Sequence, residues 1–136
     1  GQSSSFSGSK TLGTHAVAKG NHCIAAGNLL ISTEIPKAIV DNFAKNSNLH
    51  LAERLLLALQ AGLDAGGEEG PVHSAGIKVA HKHPWPLVDL RVDWSEDNPI
   101  DKLMKLWQNY EEQMIDYNTR AEDPTGAPSY GVSGDL

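Results

Sequence analysis

Between Glu68 and Trp94 the chain reads EEGPVHSAGIKVAHKHPWPLVDLRVDW, and this block limits the available folds more than any other stretch. Ala75, Ile77 and Val79 alternate with small or charged neighbours, and Val88, Leu90, Val92 and Trp94 alternate with Asp89, Arg91 and Asp93. Successive side chains of a strand point to opposite faces. This period of two therefore predicts two strands, His73–His81 and Leu87–Trp94, each turning one face to a core. Pro84-Trp85-Pro86 connects them. Because each strand is apolar on one face only, a second layer must cover it.

The neighbouring segments supply that layer. Ile35, Ile39 and Phe43 share a face of a helix expected over Glu34–Lys45, with Ser32 or Thr33 as cap and Pro36 in the first turn. Asn46-Ser47-Asn48 ends this helix and caps the next, Leu49–Ala65, whose Leu51, Leu55, Leu59 and Leu63 form a stripe widened by Leu56. Gly66-Gly67 terminates it. Asn98 and Pro99 open a last helix in which Ile100, Leu103, Trp107, Tyr110, Met114 and Tyr117 follow a 3-4-3-4-3 spacing. Towards the start, Gln2–Ser9 reads as a flexible tail or as an edge strand, and as a strand it would join Thr14–Ala18 and His22–Gly27 in a small meander of small residues, with a turn at Lys19-Gly20-Asn21. The order is strands, two helices, two strands and a helix, which is an α+β protein with antiparallel sheets.

Composition bounds the function. The 136 residues make at most one domain and carry a formal net charge of −6, which repels phosphate backbones and argues against a nucleic-acid partner. No apolar stretch is long enough to span a bilayer, so no membrane partner is expected. The single cysteine, Cys23, cannot close an intramolecular disulfide, and GQSSSFSGSK lacks the apolar core of a signal peptide, so a cytoplasmic setting is expected. The first 121 residues read as the folded portion and 122–136 as an extended Gly/Pro-rich tail.

Several side chains are candidates for chemistry. His81 and His83 lie at i and i+2, a spacing that projects both from one strand face, and His73 precedes the same strand, so a His-based metal-dependent hydrolase is one reading. Against it, the pair sits at a strand end before Pro84, where polar residues belong in any case, and no HExxH helix accompanies it. No metal or cofactor is therefore assigned. Cys23 lies among small apolar residues and reads as a small hydrophobe. Ser74 adjoins His73, but adjacent strand residues face opposite ways, so the two cannot form a dyad through adjacency alone. Asp89, Arg91 and Asp93 share a face, where Arg91 could grip a carboxylate or the charges could simply pair in solvent. Gly27-Asn28 closes a strand, and an Asn amide there can donate to a developing oxyanion.

Taken together, Gly27-Asn28-Leu29-Leu30, Leu51-Ala52-Glu53-Arg54-Leu55-Leu56, Ala61-Gly62 and Ala65-Gly66-Gly67 resemble the domain-of-unknown-function 1028 family. The likeness continues through Pro84-Trp85-Pro86, Asp89-Leu90-Arg91-Val92-Asp93 and Ala127-Pro128-Ser129-Tyr130-Gly131-Val132. In place of the Asp and Arg-Gly that often follow Gly-Gly in that family, this chain has Glu68-Glu69-Gly70-Pro71-Val72-His73.

The resemblance implies an Ntn-hydrolase-like four-layer αββα sandwich and, by extension, hydrolysis of an amide bond in a small molecule. It also implies that this chain corresponds to the C-terminal portion only. An Ntn hydrolase uses the α-amine of a first-residue Thr, Ser or Cys as base for its own side chain, whereas residue 1 here is Gly. The nucleophile is thus expected upstream, making the chain a processed product, a partial chain or one subunit of a pair, inactive alone. Its expected partner is an upstream N-terminal fragment of the same protein or a second copy. On this reading Asn28 is the oxyanion candidate, and Ser74, His73, Asp89 and Arg91 are candidates for substrate binding. A non-catalytic interaction or assembly module on the same fold is the alternative.

Overall fold

The computed structural model describes residues 1–131. Two antiparallel strand pairs and four helices follow in the order β1 (Ala16–Gly20), β2 (Cys23–Gly27), α1 (Ile35–Lys45), α2 (Leu51–Asp64), β3 (Ala75–Ala80), β4 (Pro86–Val92), α3 (Pro99–Glu111) and α4 (Met114–Glu122). Among the described residues β1 pairs only with β2, and β3 only with β4. The mixed α/β class and the antiparallel pairing expected from the alternation are present.

One face of each strand pair packs on helices. In β3–β4 the facing pairs Ile77–Leu90 and Val79–Val88 turn inward, joining Ala52 and Leu56 of α2, Leu103 and Trp107 of α3, and Met114 of α4 in the main core. The alternate pairs Gly76–Arg91 and Lys78–Asp89 take the exposed face. In β1–β2, Ala18 faces Ala25 and Gly20 faces Cys23 on the side that meets α1. Gly20 is required there because a Cβ would run into the Val40 side chain. Gly62 plays the same part between helices: a Cβ on α2 would come within 2.7 Å of Ile39 on α1. Arg54 fastens the helix pair further, donating through Nε to the Phe43 carbonyl at 2.6 Å with its guanidinium over the Phe43 ring.

Several local expectations are corrected. Gln2–Ser9 forms no strand; it offers one large apolar side chain, Phe6, and that is 92% exposed. The hairpin turns at Asn21-His22 rather than at Lys19-Gly20-Asn21, with His22 at φ 57°. α2 starts at Leu51 and is capped by His50, whose Nδ1 accepts from the Ala52 N–H at 3.2 Å, not by Asn48. Its buried face carries Ala52, Leu56, Ala58 and Gly62, whereas Leu51 and Leu55 stand at 43% and 36% exposure. The face is chosen by where small residues let α1 approach. Trp94 lies past the end of β4 and is 67% exposed rather than in the core. The single last helix is two, broken at Glu112-Gln113, and Tyr117 is exposed. The tail turns back on α4, where Arg120 donates to the Pro128 carbonyl and covers the Tyr130 ring at 3.7 Å. Val132 and the remainder of the expected tail lie outside the described residues.

Candidate functional site

Asn28 leaves the end of β2 in an unusual backbone setting. Leu29 behind it has φ 52°, a left-handed conformation uncommon for a branched residue. Gly13 beside it has φ 65°, and a Cβ there would fall 2.9 Å from the Leu29 side chain. Backbone bonds hold this corner on both sides: Leu29 N–H donates to Leu12 O and Leu30 N–H to Thr14 O, while Glu69 N–H donates to Leu29 O and Ile31 N–H to Gly67 O. Such strain persists only where surrounding structure over-determines it, and it gathers at functional sites. Glu68 takes part through an antiparallel bridge to Leu30, although its side chain is exposed.

The Asn28 amide is free to act as a donor. Its Nδ2 meets the Leu12 carbonyl at 3.5 Å, at the outer limit of a hydrogen bond, and the side chain is exposed. It lines a shallow pocket of about 280 Å³ with Phe6, Thr11, His15 and Val17. The β1–β2 register pairs Ala16 with Gly27, so one step on His15 lies opposite Asn28. His15 Nδ1 contacts the Gly13 carbonyl at 3.3 Å; a carbonyl only accepts, so Nδ1 is the donor in this contact. His15 was not a sequence candidate. It becomes one only when the hairpin turns at Asn21-His22.

A larger groove of about 370 Å³ separates the two strand pairs. Cys23–Ala26 of β2 form one bank and Gly76–Lys78 of β3 the other, with Val40 and Phe43 of α1 and Leu55, Leu56 and Leu59 of α2 beneath. A third pocket continues it past Ala26 and Gly27 on the β2 side and Val72 on the β3 side. β2 therefore runs antiparallel to β3 across the groove. Asn28 follows β2 and Ser74 precedes β3, but neither lines this groove; Asn28 lines the shallow pocket beside β1.

The other candidates divide. Ser74 is exposed at the start of β3. His73 turns the other way: its Nδ1 donates to the Ser95 carbonyl at 2.9 Å, Ser95 N–H returns a bond to His73 O, and the ring stacks on Trp94 at 4.2 Å. Asp89 and Arg91 sit on the exposed face of β4, Asp89 paired with Lys78 at 3.0 Å and Arg91 with Asp93 at 3.1 Å. Among the described residues no hydrogen bond joins Asn28 to Ser74, His73, Asp89 or Arg91. The three metal candidates do not converge. His73 and His81 flank the six residues of β3, which at about 3.3 Å per residue holds them some 25 Å apart. His83 stacks on Trp85 and faces Glu122. No group of three or more metal-ligating side chains exists among the described residues, and no helix there is long and apolar enough to cross a membrane.

The chain has a counterpart among solved structures. No curated protein matches it. It resembles the crystal structure of protein SPO2555 from Silicibacter pomeroyi, itself assigned to the DUF1028 family, at 33% identity and a TM-score of 0.71. The likeness covers 82% of this chain but 47% of the other, so this chain spans about half the length of that relative. The family model described as "Family of unknown function (DUF1028)" matches residues 1–103, which takes in both strand pairs, α1, α2 and the start of α3. The chain belongs to the DUF1028 family.

Proposed function

We propose that this chain supplies the C-terminal portion of an Ntn-type amidohydrolase acting on a small-molecule amide, and that its fold is part of a four-layer αββα sandwich. The observation that carries this reading is the placement of Asn28: a loosely held amide donor, beside a strained left-handed residue, in the shallow pocket where β2 ends. Ser74 is exposed just ahead of β3. The uncovered outer faces of both strand pairs are consistent with a second sheet packing there, and the greater length of the Silicibacter pomeroyi relative is consistent with a further segment to provide it.

In this assembly a Thr, Ser or Cys at the start of the complementary segment attacks the amide carbonyl through its side chain. Its own α-amine takes the proton. The carbonyl oxygen becomes an oxyanion and accepts from Asn28 Nδ2. The C–N bond breaks, the amine leaves with the proton, and water then hydrolyses the acyl ester or thioester. Ser74, with Asp89 and Arg91 on the same exposed strand face, lies on the substrate side, and Arg91 suits a carboxylate on the substrate. His73 faces Ser95 and Trp94 and contributes at most from the rim.

The test is co-expression of this chain with the part of the Silicibacter pomeroyi protein that it does not span, followed by assay against a panel of small-molecule amides. Turnover by the pair and none by the chain alone supports the reading. Stable association without turnover on any amide would sink the hydrolase and leave the non-catalytic assembly module in its place.

A further inference from the structure

The groove between β2 and β3 has the form of a missing strand. It is bordered by β2 and β3 but by neither β1 nor β4, so the four strands lie in the order β1, β2, groove, β3, β4. β1 and β4 occupy the outer edges of their partners, so among the described residues the inner edges of β2 and β3 have no strand partner. In a hairpin with a two-residue turn the closing pair, here Gly20 and Cys23, is hydrogen-bonded, and pairs alternate from there. Cys23, Ala25 and Gly27 therefore spend their backbone groups on β1. Ile24 and Ala26 point their N–H and C=O groups into the groove.

Width follows from the helices below. β1 and β2 rest on α1, while β3 rests on α2 and α3. Adjacent helices pack about 8–10 Å apart, which equals about two strand spacings of 4.7–4.9 Å. Between β2 over α1 and β3 over α2 there is accordingly space for about one strand. The banks and floor carry a single charge, Lys78, which is already paired with Asp89. An occupant with a charge directed at Val40, Phe43, Leu56 or Leu59 would leave it buried and unpaired.

We infer that this groove accepts one extended β-strand from a complementary polypeptide, the part of a DUF1028 protein that this chain does not span, making backbone ladders with β2 and β3 together. The strand turns small or β-branched uncharged side chains to α1 and α2, and joins the two strand pairs into one sheet. The inference rests on the two-part assembly proposed above but not on its chemistry. Unpaired edges are templates for a further strand, and an edge on both sides at one-strand spacing selects one inserted strand over side-by-side addition.

The test is amide hydrogen exchange on this chain alone and on the pair co-expressed with the unspanned part of the Silicibacter pomeroyi protein. The pair should slow exchange at Ile24 and Ala26 and along Gly76–Lys78 at least tenfold, with little change in α1 or α4. Leu55→Lys, at a half-exposed floor position, should leave the circular dichroism of the isolated chain unchanged and weaken association at least tenfold. No association, protection that avoids β2 or β3, or a homodimer of this chain protecting the same amides would each overturn the inference. Protection without amide turnover would overturn only the hydrolase.

Discussion

His50 ties two elements together through one ring. It caps α2 through Nδ1 and stacks on Trp107 of α3 at 5.0 Å. His50→Ala should cost about 1–2 kcal/mol in urea unfolding, the range of a lost N-cap with some aromatic packing. Asn48→Ala, at the position that sequence reasoning favours as the cap, should stay within about 0.5 kcal/mol. The sequence points to Asn48 because Asn is the commoner capping residue; nothing local reveals that a Trp fifty-seven positions beyond His50 will hold the imidazole in place. Asn28 behaves in the opposite way. Its residue type and its place after a strand-ending glycine were legible, while the left-handed Leu29 and the facing His15 needed the register. Asn28→Ala should leave stability within about 0.5 kcal/mol, since the side chain is exposed and loosely bonded.

At the scale of elements, α2 is the clearest case of a right element with a misread face. A stripe of Leu51, Leu55, Leu59 and Leu63 is visible in the sequence, but Gly62 and Ala58 allow a closer approach and Leu56 goes to the core. Leu56→Ala should cost about 2–5 kcal/mol as a cavity in the main core, and Leu51→Ala less than about 1 kcal/mol. Chemical denaturation of the two variants distinguishes the faces directly. The break between α3 and α4 was hidden because the 3-4 apolar spacing runs straight through it, from Tyr110 to Met114. The strands β3 and β4 were legible because alternation reports which face is buried.

α4 is pinned at its far end by Glu122, which receives Lys82 at 3.2 Å and Asn118 at 2.6 Å and faces His83. The bond from Lys82, with smaller help from Asn118 and His83, holds the Glu122 carboxyl below its ordinary value of 4.5 despite some opposing desolvation. A depressed carboxylate stabilises the folded form fully above its unfolded value, and the contribution is lost as pH falls through the folded one. Docking of α4 on the Lys82–His83 segment should thus weaken below about pH 4.5, the ordinary value. The indole N–H of Trp85, which donates to Asn118 at 3.3 Å, is the NMR reporter. Its shift should move over that acid range in the parent and stay flat in Glu122→Gln. An identical acid response in both would remove Glu122 from the account.

For the molecule as a whole, the family was legible because its motifs are scattered over the matched residues, and the α/β class because periodicity distinguishes strands from helices. The groove was not. Alternation says which face of a strand is covered but is silent on which edge is paired, so two separate strand pairs and one continuous sheet have the same sequence signature. In the proposed assembly, a strand that enters between the unpaired edges of β2 and β3 brings the nucleophile that Asn28 and Ser74 would serve.

The most direct measurement is covalent labelling of the co-expressed pair with an acylating electrophile, followed by mass analysis of each polypeptide. The account predicts one stoichiometric adduct, on the first residue of the complementary segment, with Asn28→Ala slowing its formation by about 10²–10³-fold, the range for one lost oxyanion donor. An adduct that forms equally fast without Asn28, or no adduct on that first residue, would contradict it.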